Sequence, residues 1–264
     1  MQIAVMGSGT PLVFVPGLQG RWEYMRRAVE ALAGHFRVIT FSLADEPDTG
    51  FAFDPDTPIE SYAEQTIAAM DEAGAERATI CGVSYGGIVA LRVAARHAPR
   101  VSQLILVSTP GPGWTLDRQL AFYVRHPAVT APLFFAGVPR RVRAELVSAM
   151  PRPMDRARLG WEAACTLLHA PVSPSRMGAR AQSIDAAAIA QDAAAITSPT
   201  LVVVGEESLD RIVPVAGSRE YARNIRGAQL ARLERTGHQG CITRPQEFAR
   251  IVHTFVHGQH HAAA

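Results

Sequence analysis

Three cysteines in 264 residues, Cys81, Cys165 and Cys241, are too few and too scattered to lace a disulfide framework. They form no metal-ligating set either, so no bound metal is expected. Long apolar runs are also missing, and nothing approaches the roughly 18 consecutive apolar residues of a membrane span. The opening Met1-Gln2-Ile3-Ala4-Val5 lacks the basic segment, apolar region and cleavage site of a secretory signal. A reduced, cytoplasmic protein is the expectation. Charge of one sign is scarce: the net charge is +2 and no block of like charge occurs. That removes the electrostatic ground for nucleic acid or an anionic membrane as partner. Arg140, Arg141 and Arg143, the densest basic group, are expected on a solvated helix face. Internal repeats and low-complexity linkers are absent, and the oligomeric state leaves no mark on the sequence.

What is present is an ordinary globular composition, 48% hydrophobic and 19% charged, long enough for one large α/β domain or two small ones. Gly7-Ser8-Gly9 precedes a strand and does not open a helix, so it reads as a turn and not as a phosphate loop. The apolar run Leu12–Val15 predicts a strand buried on both faces, ending in Pro16-Gly17-Leu18-Gln19-Gly20. A helix is expected over Trp22–Ala33, a strand over Phe36–Phe41, and a helix from Thr57 to about Glu72. That last helix should open with a capping box, Thr57 to Glu60, and proline at its first position. Thr79–Val83 gives the next strand, with Cys81 filling core volume. Tyr85–His97 follows as a helix and Gln103–Ser108 as a strand. This β-α-β-α-β-α-β rhythm predicts an α/β fold with a mostly parallel, doubly wound sheet.

From Thr109 to about Ser198 the rhythm breaks, and only helices are expected: Trp114–Val124, Pro139–Met150, Asp155–Leu168 and Ser183–Ala194. One crossover needs far fewer residues, so this stretch reads as an insertion on the sheet. The rhythm resumes with a strand at Thr200–Gly205, a helix over Pro214–Ile225, a short strand at Gln229–Leu233 and a final helix. The predicted organisation is a core of residues 1–109 and 199–258, a helical insertion at 110–198, and a flexible tail at 259–264.

The chemistry gathers around Gly82-Val83-Ser84-Tyr85-Gly86, a G-x-S-x-G motif between a strand and a helix. Glycine two residues either side of the serine removes the Cβ atoms that would clash in so tight a turn. The hydroxyl then stands clear of the backbone, and the new helix points its amino-terminal N–H groups and positive dipole end at the site. Taken alone, five residues with three fixed positions also fit an ordinary glycine-rich β–α turn. A serine nucleophile needs a base, and the base an orienting acid, in the chain order Ser…Asp/Glu…His for this motif. Of nine histidines, only His238 in Arg235-Thr236-Gly237-His238-Gln239-Gly240 sits on a glycine-flanked loop after the last strand. Asp210, ahead of Ile212-Val213-Pro214, is the candidate acid. Glu206 and Glu207 lie nearer the strand and read as a solvated turn. Candidate oxyanion donors are the backbone N–H groups of Tyr85 and Leu18.

Together these residues resemble the α/β-hydrolase superfamily over essentially the whole chain. Val15-Pro16-Gly17-Leu18 is similar to its oxyanion loop and Gly82–Gly87 to its elbow. Val203–Gly205 through Asp210–Pro214 is similar to its acid loop, and Gly237-His238 to its base. One departure stands out: many members carry His-Gly where this chain has Pro16-Gly17. The resemblance implies a helical cap between the strands at Gln103–Ser108 and Thr200–Val204. It implies a cofactor-free, carboxylesterase-type serine hydrolase of small to medium apolar esters, with Ser84, His238 and Asp210 as triad. A serine where epoxide hydrolases and haloalkane dehalogenases place aspartate points to acyl transfer. Gln19, Trp114 and Val213 are the candidate substrate contacts. Trp114, Phe122, Tyr123, Phe134, Phe135, Met150 and Trp161 supply the cap with core, one or two of them with a pocket wall. Carbon–carbon hydrolysis, lactone hydrolysis and perhydrolysis fit the same residues. So does a binding protein on this scaffold.

Overall fold

The computed structural model describes residues 1–116 and 118–258, the side chains at 119, 128, 134, 186 and 187 excepted. Seven strands form one sheet in the order β1-β3-β2-β4-β5-β6-β7: β1 Ala4–Met6, β2 Pro11–Val15, β3 Arg37–Thr40, β4 Ala78–Val83, β5 Val101–Val107, β6 Thr200–Val204 and β7 Gln229–Arg232. β1 runs antiparallel to β3, and every other pairing is parallel. The α/β fold with a mostly parallel, doubly wound sheet is therefore as expected.

Alternation along the central strands explains why they read as unbroken apolar runs. Val13, Val15, Ile80, Leu104, Leu106, Val202 and Val204 face one layer, packed with Tyr62, Met70, Ile88, Leu91 and Tyr221. Leu12, Phe14, Cys81, Val83, Ile105, Val107, Leu201 and Val203 face the other, packed with Val29, Leu32, Phe248 and Val252. Helices α2 (Pro58–Glu72), α3 (Tyr85–Arg96), α8 (Ala186–Ala195) and α9 (Val215–Asn224) supply the first layer. Helices α1 (Arg26–Ala33) and α11 (Pro245–Gly258) supply the second. A strand buried on both sides has no polar face to show, so period-2 patterning vanishes. Each fully buried Val, Leu or Phe contributes about 1.5–3 kcal/mol through burial. Cys81 and Cys241 are buried free thiols, and burial pushes Cys241 up to about 12.

Among the described residues, five helices lie between β5 and β6: α4 Arg118–Arg125, α5 Pro127–Ala149, α6 Pro153–His169, α7 Pro174–Gln182 and α8 Ala186–Ala195. Pro139 does not start a helix as expected; it lies with Pro132 inside the single long α5. An interior proline removes one backbone hydrogen bond, a cost that packing against α4, α7 and α10 (Gly240–Thr243) accompanies here. The helix expected over Ser183–Ala194 is instead α8, and Ser183 caps the end of α7.

The capping box at Thr57 is absent. The Thr57 hydroxyl donates to Asp54 Oδ2 at 2.8 Å, and Glu60 pairs with Arg92, whose Nε also meets the buried Asp192 at 2.6 Å. A neighbouring loop carboxylate and an arginine on α3 take the two side chains in place of the local reciprocal bond. Gly7 and Gly9 have positive φ, 75° and 96°, the turn the sequence implied. Arg140 and Arg143 are exposed on α5. Among the described residues no helix is long and apolar enough to cross a membrane. The expected flexible tail at 259–264 lies outside the described residues.

Candidate active site

Ser84 is the single residue between β4 and α3, with φ 53° and ψ −120°. That region is sparsely open to any residue with a Cβ, and it marks stored strain. Neighbouring contacts enforce it: the Ser84 N–H donates to Val107 O at 2.8 Å, and its carbonyl accepts the Gly87 N–H at 2.9 Å. A Cβ on Gly82 would strike the Gly86 backbone, and one on Gly86 would strike the Val15 and Pro16 carbonyls. Both flanking glycines are thus required by close approach. Ser84 is half-buried, and a Cβ on Gly17 of the loop after β2 would lie 3.6 Å from the Ser84 Cβ.

Asp210 and His238 come together. Asp210 Oδ1 accepts the N–H groups of Ile212 and Val213, each at 2.9 Å, while Oδ2 faces His238 Nδ1 at 3.3 Å. With an ionised carboxylate as partner, Nδ1 carries the hydrogen and Nε2 is left as acceptor. Burial alone would raise Asp210. The His238 hydrogen bond and charge, with the two backbone N–H groups, outweigh it and hold Asp210 below its ordinary value. The two loops are in backbone contact: a Cβ on Gly205 would sit 2.5 Å from Gly237 O and 2.6 Å from Thr236 O. Glu206 and Glu207 are engaged elsewhere. Glu206 Oε1 accepts the Arg235 N–H at 2.6 Å, and the exposed Glu207 pairs with Arg219. Among the described residues no hydrogen bond joins the Ser84 hydroxyl to the His238 ring; such contacts commonly tighten when substrate arrives.

Leu18 is half-buried, and its carbonyl accepts from Arg180 Nη1 at 2.9 Å. The Tyr85 side chain is buried, and its hydroxyl lies 2.8 Å from Ser183 Oγ. Gln19 and Trp114 are half-buried, and Val213 is buried with its N–H on Asp210. Met150 is buried, whereas Phe122 and Trp161 are 55% and 70% exposed and so wall no enclosed pocket. The Phe134 side chain lies outside the described residues. A groove of about 530 Å³ runs between the loop after β3 and α7, lined by Asp45, Phe53, Tyr62, Arg176, Arg180 and Ser183. Neither Ser84 nor His238 lines it.

Two buried ionisable groups at the site carry no signal in the sequence. Glu145, on α5, is 1% exposed and its Oε2 accepts the Gln239 N–H at 3.0 Å. Burial raises its carboxyl above the ordinary value, and Asp210 adds to the rise. The Gln239 and Gly237 amides and His238 oppose it. Arg180, on α7, is equally buried and ion-paired to Asp45 and Glu46. A lone Glu or Arg on a helix looks like a solvated face; only the packing shows otherwise. Among the described residues no cluster of His, Cys, Asp or Glu could hold a metal ion.

The model of the family described as "Alpha/beta hydrolase family" matches residues 12–251. A 2-hydroxymuconate semialdehyde hydrolase of Pseudomonas putida is 30% identical over 200 residues, which are 74% of this chain and 68% of that one. A Caulobacter protein (strain K31) named "Putative carbamate hydrolase RutD" is 27% identical over 264 residues, covering 94% and 91% of the two chains. The crystal structure of the enol-lactonase of Burkholderia xenovorans LB400 superposes with a TM-score of 0.75 at 26% identity, over 97% of this chain and 95% of that one. The chain belongs to the alpha/beta hydrolase family.

Proposed function

We propose that this alpha/beta hydrolase is a serine hydrolase of small to medium apolar carboxylic esters, acting in the cytoplasm through an acyl-enzyme. The observation that carries the reading is the forced backbone at Ser84, φ 53° on a non-glycine residue flanked by two obligatory glycines. Such strain is kept where a side chain must be held out from the fold. Ser84 Oγ attacks the carbonyl carbon, and His238 Nε2 takes its proton. Asp210, held below its ordinary value beside His238, fixes the tautomer and stabilises the imidazolium. The N–H groups of Leu18 and Tyr85 receive the oxyanion. His238 returns the proton to the leaving alkoxide, then activates water, which releases the acid. No step calls for a cofactor. The inserted helices α4–α7 form the cap, while α8 packs beside α3 and α9 on the sheet, and Gln19, Trp114 and Val213 contact substrate.

A lactone is a cyclic ester, and the enol-lactonase likeness fits the same chemistry. A second reading, carbon–carbon hydrolysis of a diketone-type substrate, is favoured by the name of the Pseudomonas relative. The test measures hydrolysis of p-nitrophenyl esters of increasing chain length, a γ-lactone and a diketone, with Ser84→Ala alongside. Ester or lactone turnover that Ser84→Ala abolishes supports the first reading, and the best chain length sizes the pocket. Turnover of the diketone alone moves the assignment to the second. Equal rates in wild type and Ser84→Ala sink both.

A further inference from the structure

The two residues assigned above as oxyanion donors, Leu18 and Tyr85, are held by one turn of one inserted helix. The Leu18 N–H lies in one peptide plane with the Gly17 carbonyl, so whatever holds that plane sets its direction. Upstream, the Gly17 carbonyl accepts the Gly20 N–H at 2.9 Å. Downstream, the Leu18 carbonyl accepts Arg180 Nη1 at 2.9 Å. With its own peptide held through Gly17 and the next one held through Arg180, the Leu18 donor is restrained. Arg180 is fixed in turn. Its Nε and Nη2 reach Asp45 Oδ1 at 3.1 and 2.6 Å, and Nη2 reaches Glu46 Oε1 at 2.6 Å. The planar fork spends its donors on three different groups, an arrangement that lysine cannot reproduce. The loop is wrapped tightly around it, since a Cβ on Gly20, at φ 77°, would collide with the guanidinium.

Three residues on, Ser183 Oγ donates to the Arg180 carbonyl at 2.8 Å. A hydroxyl has one hydrogen, so the 2.8 Å contact with Tyr85 is the tyrosine donating to Ser183. Tyr85 is the first residue of α3, directly after Ser84, and its ring also packs edge-on against Tyr62 at 6.1 Å. The same helical turn therefore bonds both the Leu18 carbonyl and the hydroxyl of Tyr85, the residue after the serine.

We propose that the carboxyl-terminal turn of α7, through Arg180 and Ser183, is a positioning element of the oxyanion hole. Arg180 aims the Leu18 N–H and Ser183 seats Tyr85. Docking of the inserted helices on the sheet and assembly of the oxyanion hole are then a single event. The inference rests on the serine-hydrolase reading.

The experiment compares wild type with Arg180→Lys, Ser183→Ala and Ser84→Ala, using p-nitrophenyl butyrate and the inhibitor phenylboronic acid. The boronate forms a tetrahedral serine adduct whose oxygen occupies the oxyanion position. Misaiming a donor by a fraction of an ångström is expected to lower kcat about ten- to a hundredfold in Arg180→Lys. KM should stay within threefold, and boronate affinity should fall in step with kcat. Ser183→Ala should show the same pattern at smaller size. An Arg180→Lys enzyme with native circular dichroism and wild-type kcat overturns the proposal, as does a kcat loss with unchanged boronate affinity. Should Arg180→Lys fail to fold, Ser183→Ala decides by the same readout, and unchanged kcat and boronate affinity there overturn it. Retained activity in Ser84→Ala would instead sink the serine-hydrolase reading itself, which the arginine variant leaves untouched.

Discussion

Glu145 Oε2 accepts the Gln239 N–H at 3.0 Å, so a carboxylate on the inserted helix α5 grips the loop one residue past His238. Glu145 is buried and interacts with His238 and Asp210, and among the described residues its other oxygen, Oε1, has no hydrogen-bond partner. Because burial raises its pKa in the fold above the ordinary 4.5, its contribution is most favourable below pH 4.5. That contribution is lost as pH rises through the raised value. Glu145→Gln keeps an acceptor for the amide and removes the titration. Urea unfolding from pH 4 to 8 should show the variant gaining on wild type as pH rises, then levelling. A gap that does not move with pH would disprove this assignment of the shift.

Asp210→Asn should cut kcat by about 10³–10⁴-fold with little change in KM. The two N–H groups of Ile212 and Val213 at Oδ1 already require an acceptor there. The asparagine would keep its oxygen on those amides and turn its NH₂ toward His238. The imidazole would then present Nδ1 as acceptor and Nε2 protonated, unable to take a proton. A pH–rate profile of unaltered height would refute this.

Ser84→Gly and Ser84→Ala should both be inactive, yet differ in stability. Glycine adopts φ 53°, ψ −120° freely and alanine does not. The glycine variant is expected to be more stable by about 1–3 kcal/mol, read from urea midpoints at constant m-value. Equal midpoints would mean that the elbow holds no strain.

Gly205→Ala should impair activity without touching any of the three candidate catalytic side chains. Its Cβ would press on the carbonyls of Thr236 and Gly237 at 2.6 and 2.5 Å, and backbone on both sides leaves no flexible atom to yield. The His238 loop must shift. A kcat loss of about 10² with a modest fall in Tm is expected, since an ångström of displacement suffices. Full activity would show that the loop moves without consequence.

Much of this was legible from local grammar. The Ser84 turn and the His238 and Asp210 loops announce themselves because glycine, proline and apolar runs fix backbone shape within a few residues. β1 was missed because three residues, Ala4–Met6, carry too short a pattern; only pairing with β3 makes them a strand. The capping box at Thr57 failed because Asp54 and Arg92, set by loop and tertiary geometry, claimed its partners. Glu145 and Arg180 were illegible for the same reason on a larger scale. Their partners lie 94 and 135 residues away in sequence, and no spacing rule reaches that far.

The inserted helices leave the sheet after Val107 and return at Thr200, on strands β5 and β6 that pair directly, Leu104 beside Thr200 and Val107 beside Val203. Parallel neighbours require a return path of only about a dozen residues, and lengthening such a path costs little entropy. The sheet is therefore indifferent to how much chain travels between these two points. A shorter or longer graft could be sewn in at this seam without unpicking the weave, provided that it brought its own counterparts of two stitches, Glu145 and Arg180.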